Sequence, residues 1–196
     1  MITPTPVTLE GRHVRLEPLT AAHVPALAAV ALDEELWRWT LSRVASEADL
    51  ERYVREAVEA MAAGLAVAFA TVERRGGRAV GSTRFANASV ADGRLEIGWT
   101  WVGRAWQRTA VNTEAKYLML LHAFESLGCT RVEFKTDALN ARSRAALARL
   151  GAVEEGTLRR HMRTHDGRLR DSVYFGVVDS EWPAVRARLE ARLAAG

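Results

Sequence analysis

A polar turn between a predicted strand and a predicted helix is the first candidate for chemistry. It spans residues 104–112 of the stretch WTWVGRAWQRTAVNTEAKYLMLL. Gln107, Arg108 and Thr109 provide side-chain hydrogen-bond donors, and the first turn of the helix leaves backbone N–H groups unpaired. Because a helix N-terminus attracts negative charge, a phosphate would be stabilised here, with Arg104 or Arg108 as its counter-charge.

The same turn also has a purely structural interpretation. Asn112 or Thr113 can act as the N-cap of the helix, and the arginines can simply face solvent. The residues alone leave both interpretations open.

The strand before this turn, LEIGWTWV, contains a candidate general base. Strand alternation predicts that Leu95, Ile97, Trp99 and Trp101 share one face and that Glu96, Gly98, Thr100 and Val102 share the other. A glycine close to Glu96 is typical of a bulge or of the close approach of another backbone, so the carboxylate can line a cleft. Partial burial would raise the pKa of Glu96 and make it a better base near neutral pH. An exposed strand glutamate is the alternative.

A third candidate lies in the segment TDALNARSRAALARLG. Asn140 precedes a predicted helix and Ser143 follows three residues later, which is the spacing of an N-cap and the backbone group that it binds. The functional interpretation is that Asn140 binds a ligand amide and that the Ser143 hydroxyl faces the end of the neighbouring strand. Both interpretations can hold together.

Other reactive side chains do not form a recognisable site. The single cysteine, Cys129, excludes an internal disulfide and is expected to be an inert small side chain. The five histidines form no HExxH or other helical metal pair, so no metal is expected. His161, His165 and Asp166 surround a predicted hairpin turn, and no serine or cysteine in a sharp turn completes a hydrolase triad.

The composition indicates an ordinary globular protein. The 196 residues are 48% hydrophobic and 26% charged, and no linker rich in Gly, Pro or Ser divides them, so residues 1–196 are expected to form a single domain. No apolar run is long enough for a bilayer, and MITPTPVTLEGR lacks the order of a signal peptide, so we expect a cytoplasmic protein without a membrane partner. The net charge of +3 is compatible with an acidic ligand but too small to indicate nucleic-acid binding.

Hydrophobic periodicity predicts a mixed α/β domain built around one sheet. In chain order the predicted elements are two short strands over 7–19, a helix from Thr20 to Ala31, a helix from Ser46 to Gly64, three antiparallel strands over 65–103, a helix from Thr113 to Leu127, a strand over 130–137, a helix over 140–151, two strands over 152–178 joined at HDGR, and a helix over 180–193.

The order of these motifs resembles the GNAT N-acetyltransferase superfamily, and more closely its RimJ/RimL-type branch. The resemblance covers nearly the whole chain, through LEGRHVRLEPLTAAHVPAL, EIGWTWV, NTEAKYLMLLHAFESLGCTRVEFKTDALNARSRAALARLGAVEEGTLRRH and DGRLRDSVYFGVVDSEW. It implies a single GNAT-like α+β domain whose mixed, mostly antiparallel sheet is flanked by helices and has central strands that splay apart. Those strands correspond to Leu95–Val102 and Thr130–Asp137.

The resemblance also implies acetyl-CoA as co-substrate in the gap between the splayed strands. The pantetheine arm is expected to pair with Trp101 and Val102, and the pyrophosphate to lie on the following turn. The family pattern QxxGxG/A falls on Gln107, Ala110 and Asn112, so both small positions depart from glycine. The cofactor-binding residues that follow from the resemblance are Trp101, Val102, Arg104, Gln107, Arg108, Thr109, Ala110, Val111, Asn112, Asn140 and Ser143.

The activity implied by the resemblance is direct transfer of an acetyl group to a primary amine in a ternary complex. Glu96 is predicted to remove a proton from the amine, directly or through a water molecule, and a backbone N–H near Val102 to bind the oxyanion. Many family members protonate the leaving thiolate with a tyrosine, but the matching position is Leu147, so Ser143 is the predicted acid.

Other functions remain open on the sequence. A domain that binds acyl-CoA without catalysis is favoured by the missing glycines and tyrosine, whereas Glu96 and Ser143 favour the enzyme. An RNA- or ribosome-associated protein is suggested only by the pI of about 9.5 and by the arginines of the C-terminal half. The acceptor is expected to be a protein N-terminus or a small-molecule amine, selected by Trp37, Trp39 and residues 159–170. A homodimer is compatible with the sequence.

Overall fold

Runs of alternating and continuous apolar residues form one eight-stranded sheet in the computed structural model, which describes residues 4–195. The strands are β1 Leu9–Glu10, β2 Val14–Pro18, β3 Ala66–Glu73, β4 Arg78–Ser89, β5 Arg94–Val102, β6 Arg131–Asp137, β7 Val153–Arg163 and β8 Leu169–Val178. Their spatial order is β1-β2-β3-β4-β5-β6-β8-β7. The pairs are antiparallel except β5 and β6, which run parallel because a helix crosses over between them.

Five α-helices flank the sheet, and capping residues set where they begin and end. They are α1 Val24–Ala31, α2 Glu47–Ala62, α3 Ala110–Leu121, α4 Ala141–Leu150 and α5 Trp182–Ala195. The Ser46 hydroxyl accepts from the Asp49 N–H at 3.2 Å and starts α2, whereas Gly151 ends α4 in the left-handed conformation at φ 108°. The predicted mixed, mostly antiparallel α/β fold is therefore confirmed.

The sheet separates two apolar cores. Beneath α3 and α5, residues such as Phe85, Leu95, Met119, Phe175 and Leu189 form one core. Beneath α1 and α2, the other core includes Leu27, Trp37, Leu50, Ala68 and Trp101. Burial of large side chains on both faces explains why the central strands read as nearly continuous apolar runs.

The predicted alternation along β5 is wrong beyond Ile97. Trp99 has φ 49°, and the register between β4 and β5 shifts there, so one extra residue is inserted as a bulge. Leu95 and Ile97 contact the α3 core, but Trp101 belongs to the core beneath α1 and α2. The bulge reverses the face of every later residue, so Trp101 lies on the same face as Glu96.

The helix after the polar turn begins earlier than predicted. Thr109 is its N-cap, because the Thr109 hydroxyl accepts from the Val111 N–H at 3.3 Å, and the first helical residue is Ala110. The predicted start at Thr113 and the caps Asn112 and Thr113 are therefore wrong. Asn112 instead lies in the first turn, among the backbone N–H groups that a helix leaves free.

Candidate functional site

The parallel strands β5 and β6 separate to form a cavity of about 840 Å³. They pair only at Arg94–Arg131, Leu95–Val132 and Glu96–Glu133, after which Gly98 to Val102 have no partner strand on that side. The predicted splay is confirmed. A strand edge with free N–H and C=O groups is suited to an extended ligand that adds as another strand.

The gap is lined by most of the predicted site residues. Glu96, Trp101, Val102, Gln107, Arg108, Thr109, Asn112, Asn140 and Ser143 all line it. Three predicted residues do not. Arg104 is exposed and contacts Asp33 at 3.4 Å, Ala110 is the first residue of α3, and the Val111 side chain is buried in the core.

The start of α3 lies at the mouth of the gap. Arg108 precedes the helix in the left-handed conformation at φ 63°, between the extended residues Gln107 and Thr109. The Oδ1 atom of Asn112, in the first turn, is buried without a hydrogen-bond partner among the described residues. Free N–H groups and the Arg108 cation together favour a phosphate at this end.

The backbone of Val102 is directed into the gap. The Gly103 N–H donates to the Val80 carbonyl on β4 at 2.8 Å, and neighbouring residues of a strand point their polar groups to opposite edges. The Val102 N–H therefore faces the side on which β6 has moved away. The Val102 N–H is thus a backbone donor on the gap side of β5.

The Gln107 side chain is already engaged by the protein. Its Nε2 donates to the Val102 carbonyl at 2.9 Å, and its Oε1 accepts from Arg142 at 2.7 Å. Gln107 thus links the end of β5 to the start of α4 across the opening. Arg142, which the sequence analysis did not select, is an exposed cation that also lines the cavity.

Glu96 is buried at the inner end of the gap, so the alternative of an exposed strand glutamate is wrong. It is 4% exposed, and its Oε2 accepts a hydrogen bond from Asn87 Nδ2 and forms an ion pair with Lys135 Nζ, each at 2.7 Å. Its Oε1 accepts no hydrogen bond within residues 4–195. One oxygen therefore holds the carboxylate in place, and the other is available to a ligand.

Asn140 and Ser143 are joined as an ordinary N-cap pair. The Asn140 Oδ1 accepts from the Ser143 N–H at 3.0 Å, which confirms the structural interpretation of Asn140. The Ser143 hydroxyl makes no hydrogen bond to the part of the chain that the structure describes, and Ser143 lines the gap. A hydroxyl at the start of α4 thus faces the cavity from the side opposite β5.

Lys116 is a buried amine on the same cavity that the sequence analysis missed. It is 5% exposed, and its Nζ donates to Thr100 at 2.6 Å and to Thr83 at 2.9 Å. Burial lowers the pKa of Lys116 from 10.5 to about 7. It interrupts the apolar face of α3, and this interruption was the available sequence signal.

Lysine is rare in this chain, and both lysines lie at the site. The sequence contains 27 basic residues, of which only Lys116 and Lys135 are lysine. Both line the cavity, whereas arginine supplies the rest of the positive charge. The lysine ammonium is a more compact charge than the arginine guanidinium, and both of these compact charges lie at the gap.

Glu114 holds the N-terminal strand against the helix of the site. Its carboxylate is 5% exposed and accepts from the backbone N–H groups of Arg12, His13 and Val14 at 2.9, 2.6 and 2.7 Å. Gly11 is required nearby, because a Cβ at that position would lie 2.5 Å from Glu114. This contact fixes the start of α3 relative to β2.

Cys129 does not line the gap. Cys129 is a buried free thiol, and burial raises its pKa to about 11, as expected of an inert side chain. No group of three metal-ligating side chains occurs in this part of the chain. None of the described helices combines the length and apolar character needed to cross a membrane.

The chain is thus an α/β domain whose sheet is open at its parallel pair, with a helix N-terminus and a buried carboxylate at the gap. Residues 13–153 match the Acetyltransferase (GNAT) domain. The chain belongs to the GNAT acetyltransferase family.

Solved structures of other acetyltransferases are similar to this chain. A GCN5-related N-acetyltransferase from Brucella melitensis has a TM-score of 0.91 and 34% identity, over 97% of this chain and 87% of that chain. Mycobacterium smegmatis RimJ in complex with CoA-disulfide shares the fold, with a TM-score of 0.80 and 24% identity over 97% of this chain and 95% of that one.

A curated relative is similar over a shorter region. The Bacillus subtilis (strain 168) protein named "Putative ribosomal N-acetyltransferase YdaF" is 30% identical over 96 residues, which are 49% of this chain and 51% of the relative. The chain thus matches about half the length of that curated relative. These comparisons agree with the resemblance to the RimJ/RimL-type branch.

Proposed function

We propose that this protein transfers the acetyl group of acetyl-CoA to a primary amine, by direct attack within a ternary complex. The observation that supports this most directly is the gap between β5 and β6, into which the Val102 N–H, the free Oε1 of Glu96 and the Ser143 hydroxyl all face. A base, an oxyanion donor and an acid are the three groups that acyl transfer to an amine requires.

The gap has the chemistry to hold acetyl-CoA, which would supply an activated thioester. Mycobacterium smegmatis RimJ, a protein of the same fold, was solved with CoA-disulfide. In this chain the strand edge at Trp101 and Val102 would bind the amide-bearing arm. Arg108, Thr109 and Asn112, together with Arg142, would hold the anionic end at the start of α3.

Glu96 is the proposed base. A protonated amine has no lone pair and must lose a proton before or during attack. Lys135 and Asn87 hold Oε2, so the Oε1 atom is the one that would take the proton, directly or through a water molecule. The buried position keeps this carboxylate at a defined place beside the acetyl group.

Ser143 is the proposed acid for the leaving thiolate. A free thiol has a pKa of about 8.5, so the leaving group needs only modest assistance. Loss of Ser143 should therefore slow the reaction less than loss of Glu96. The Val102 N–H would stabilise the oxyanion, since backbone donors that already point at the reacting centre need no reorganisation.

Two measurements test the proposal in sequence. Acetyl-CoA at about a hundred times its Kd should stabilise the fold by about 2.7 kcal/mol, and adenosine diphosphate should stabilise it less. CoA release is then followed with a panel of primary amines. Glu96→Gln should lower kcat by about a hundredfold or more and Ser143→Ala by less, because base catalysis contributes about 10²–10⁴-fold.

Glu133→Gln is the matched control, since Glu133 lies opposite Glu96 in the β5–β6 register but contacts arginines instead of the cavity. Its kcat should equal that of the wild type. A larger loss of kcat in Ser143→Ala than in Glu96→Gln would contradict the assigned roles. Strong stabilisation by acetyl-CoA without amine-dependent CoA release would identify a binding module instead.

A further inference from the structure

Two buried arginines near Glu96 lack an acidic partner. Arg84 is 8% exposed and Arg170 is 6% exposed. Within residues 4–195 neither guanidinium lies within 4.0 Å of a carboxylate oxygen, and Arg170 donates only to the Ser172 hydroxyl, at 2.9 Å. Burying a cation without a nearby counter-ion is unfavourable. Arg170 lines the cavity, and Arg84 contacts Tyr53 and Trp99, which line it, so an anion bound beside these rings would lie near both charges.

Arg84 is held between aromatic rings that line the cavity. Its guanidinium carbon lies 4.7 Å from the Tyr53 ring centre and 5.6 Å from that of Trp99. The Arg84 Nε, the Tyr53 hydroxyl and the Trp101 Nε1 are all buried without a hydrogen-bond partner among the described residues. Three residues of one small region thus present cationic or polar groups that the described part of the protein does not satisfy.

The sheet register places Arg84 next to Glu96. Arg84 lies opposite Gly98 and Ala86 lies opposite Glu96, so Arg84 and Glu96 are diagonal neighbours on one face. Diagonal neighbours in a sheet are about 7–8 Å apart, within reach of long side chains. A ligand that contacts both side chains therefore needs only a few bonds between the two groups.

Arg170 reaches the same face from β8. Lys135 pairs with Tyr174 and Asp137 with Ser172 in the β6–β8 register, and alternation puts Arg170 on the face of those residues. Arg170 also lines the cavity.

The charges of this face do not balance without a ligand. Glu96 is paired with Lys135, and Asp137 is paired with Arg168. Both carboxylates thus pair with another cation and act on Arg170 only at longer range, and no carboxylate oxygen of residues 4–195 lies within 4.0 Å of Arg84. The anion-binding start of α3 lies at the other end of the gap, so an anion bound there does not account for these two arginines.

We propose that the acceptor is a small amine with a carboxylate a few bonds from its amino group, as in a free amino acid, and that Arg84 binds this carboxylate. The inference rests on the proposed function, because it places the amino group at Glu96. A planar guanidinium fixed between two rings presents its N–H groups in the fork that a carboxylate accepts, and Arg170 adds a second positive charge.

Binding without acetyl-CoA is the first test. Thermal unfolding is measured with pairs of L-amino acids and their α-amides, which keep the amine and remove the carboxylate charge. At least one amino acid should raise Tm more than its amide. Arg84→Gln should abolish this difference, and Arg84→Lys, the variant more compatible with folding, should reduce it because an ammonium lacks the fork. Arg78→Gln, an exposed arginine on the same strand, should keep it.

CoA release with the same pairs is the second test. The wild type should use the preferred amino acid with a kcat/KM at least about tenfold above that of its amide, since hydrogen bonds to charged groups are worth about 1.5–3 kcal/mol. Arg84→Gln should remove this preference mainly through KM.

The possible outcomes distinguish recognition of a carboxylate by Arg84 from the proposed acetyl transfer. If amides, including those of dipeptides, bind and react as well as free acids, the carboxylate inference is refuted and acetyl transfer stands. If no amino acid raises Tm more than its amide, the inference is also refuted. If acids bind through Arg84 but no amine releases CoA, the anion site stands and the proposed acetyl transfer fails.

Discussion

Replacement of Lys116 by methionine should change how the stability of the protein depends on pH. The Lys116 ammonium is buried between α3 and the sheet, with two threonine hydroxyls as its partners and no carboxylate within ion-pair distance among the described residues. Methionine fills a similar volume without a charge. Thr83 and Thr100 lie 2.8 Å apart, so their hydroxyls can still bond to each other in Lys116→Met.

The sign and size of the effect follow from the lowered pKa. Because the folded state has a Lys116 pKa of about 7 and the unfolded chain about 10.5, the unfolded state binds more protons between these values. Stability therefore rises with pH through this window. Each tenfold change in proton affinity corresponds to about 1.4 kcal/mol. The shifted pKa of Lys116 therefore lowers the free energy of unfolding by about 5 kcal/mol below pH 7. Near pH 9, where Lys116 is neutral in the folded state, it lowers that free energy by about 2 kcal/mol.

Urea unfolding followed by tryptophan fluorescence measures this directly. The free energy of unfolding of the wild type, minus that of Lys116→Met, should increase by about 2 kcal/mol from pH 7 to pH 9, and Lys116→Met should be the more stable protein at the lower pH. Met119→Leu, a buried change on the same helix, should show a difference from the wild type that is independent of pH. A difference for Lys116→Met that stays constant over this range would refute the assigned charge burial.

Three further predictions concern the residues around the gap. Glu114→Gln replaces a carboxylate that accepts three backbone N–H groups, so the free energy of unfolding should fall by about 3 kcal/mol and Tm by roughly 10 °C; an unchanged Tm in calorimetry would contradict this. Arg108→Gly keeps the left-handed backbone but removes the cation, so calorimetric titration should show acetyl-CoA binding weakened by about tenfold, whereas Arg104→Ala should bind normally because Arg104 does not line the cavity. Cys129 should resist maleimide at pH 8 until the protein unfolds, since with a pKa of about 11 only about one thiol in a thousand is ionised; rapid labelling of the native protein would disprove its burial.

Much of the fold could be predicted because the sequence features that specify its helices and strands lie within a few residues of one another. The helix starting at Ser46 and the strands on either side of the β3–β4 turn depend on periodicity and on caps that lie within a few residues. The order of these elements was enough to indicate the family and the separation of β5 from β6. Glu96 and Ser143 were selected for the same reason, since each lies on an element whose position in the order was known.

Local patterns failed where the backbone departs from regular geometry. The bulge at Trp99 turned Trp101 to the other face, and nothing in the residue types of LEIGWTWV distinguishes a bulged strand from a regular one beyond its glycine. The start of α3 was misplaced because Thr109, Asn112 and Thr113 are all acceptable caps. In the structure Thr109 is the cap, and Val111 of the first turn is buried in the core.

The residues that the sequence analysis missed act through distant partners. Lys135 reaches Glu96 from a strand 39 positions later, Arg84 reaches Tyr53 on α2, and Glu114 binds the backbone near Val14, 100 positions away. Such pairs are set by tertiary packing. A lysine, arginine or glutamate at these positions has the same local appearance as a solvent-exposed charge.

The scarcity of lysine has a consequence for chemical modification. Acyl donors react with neutral amines, whereas the arginine guanidinium stays protonated and does not compete. The side-chain amines that an acylating reagent can modify in this chain are therefore only Lys116 and Lys135, and both line the gap. A protein that binds an activated acyl group thus offers almost no outer surface for adventitious acylation, and mass spectrometry of acylated lysine in this protein would report on access to its interior.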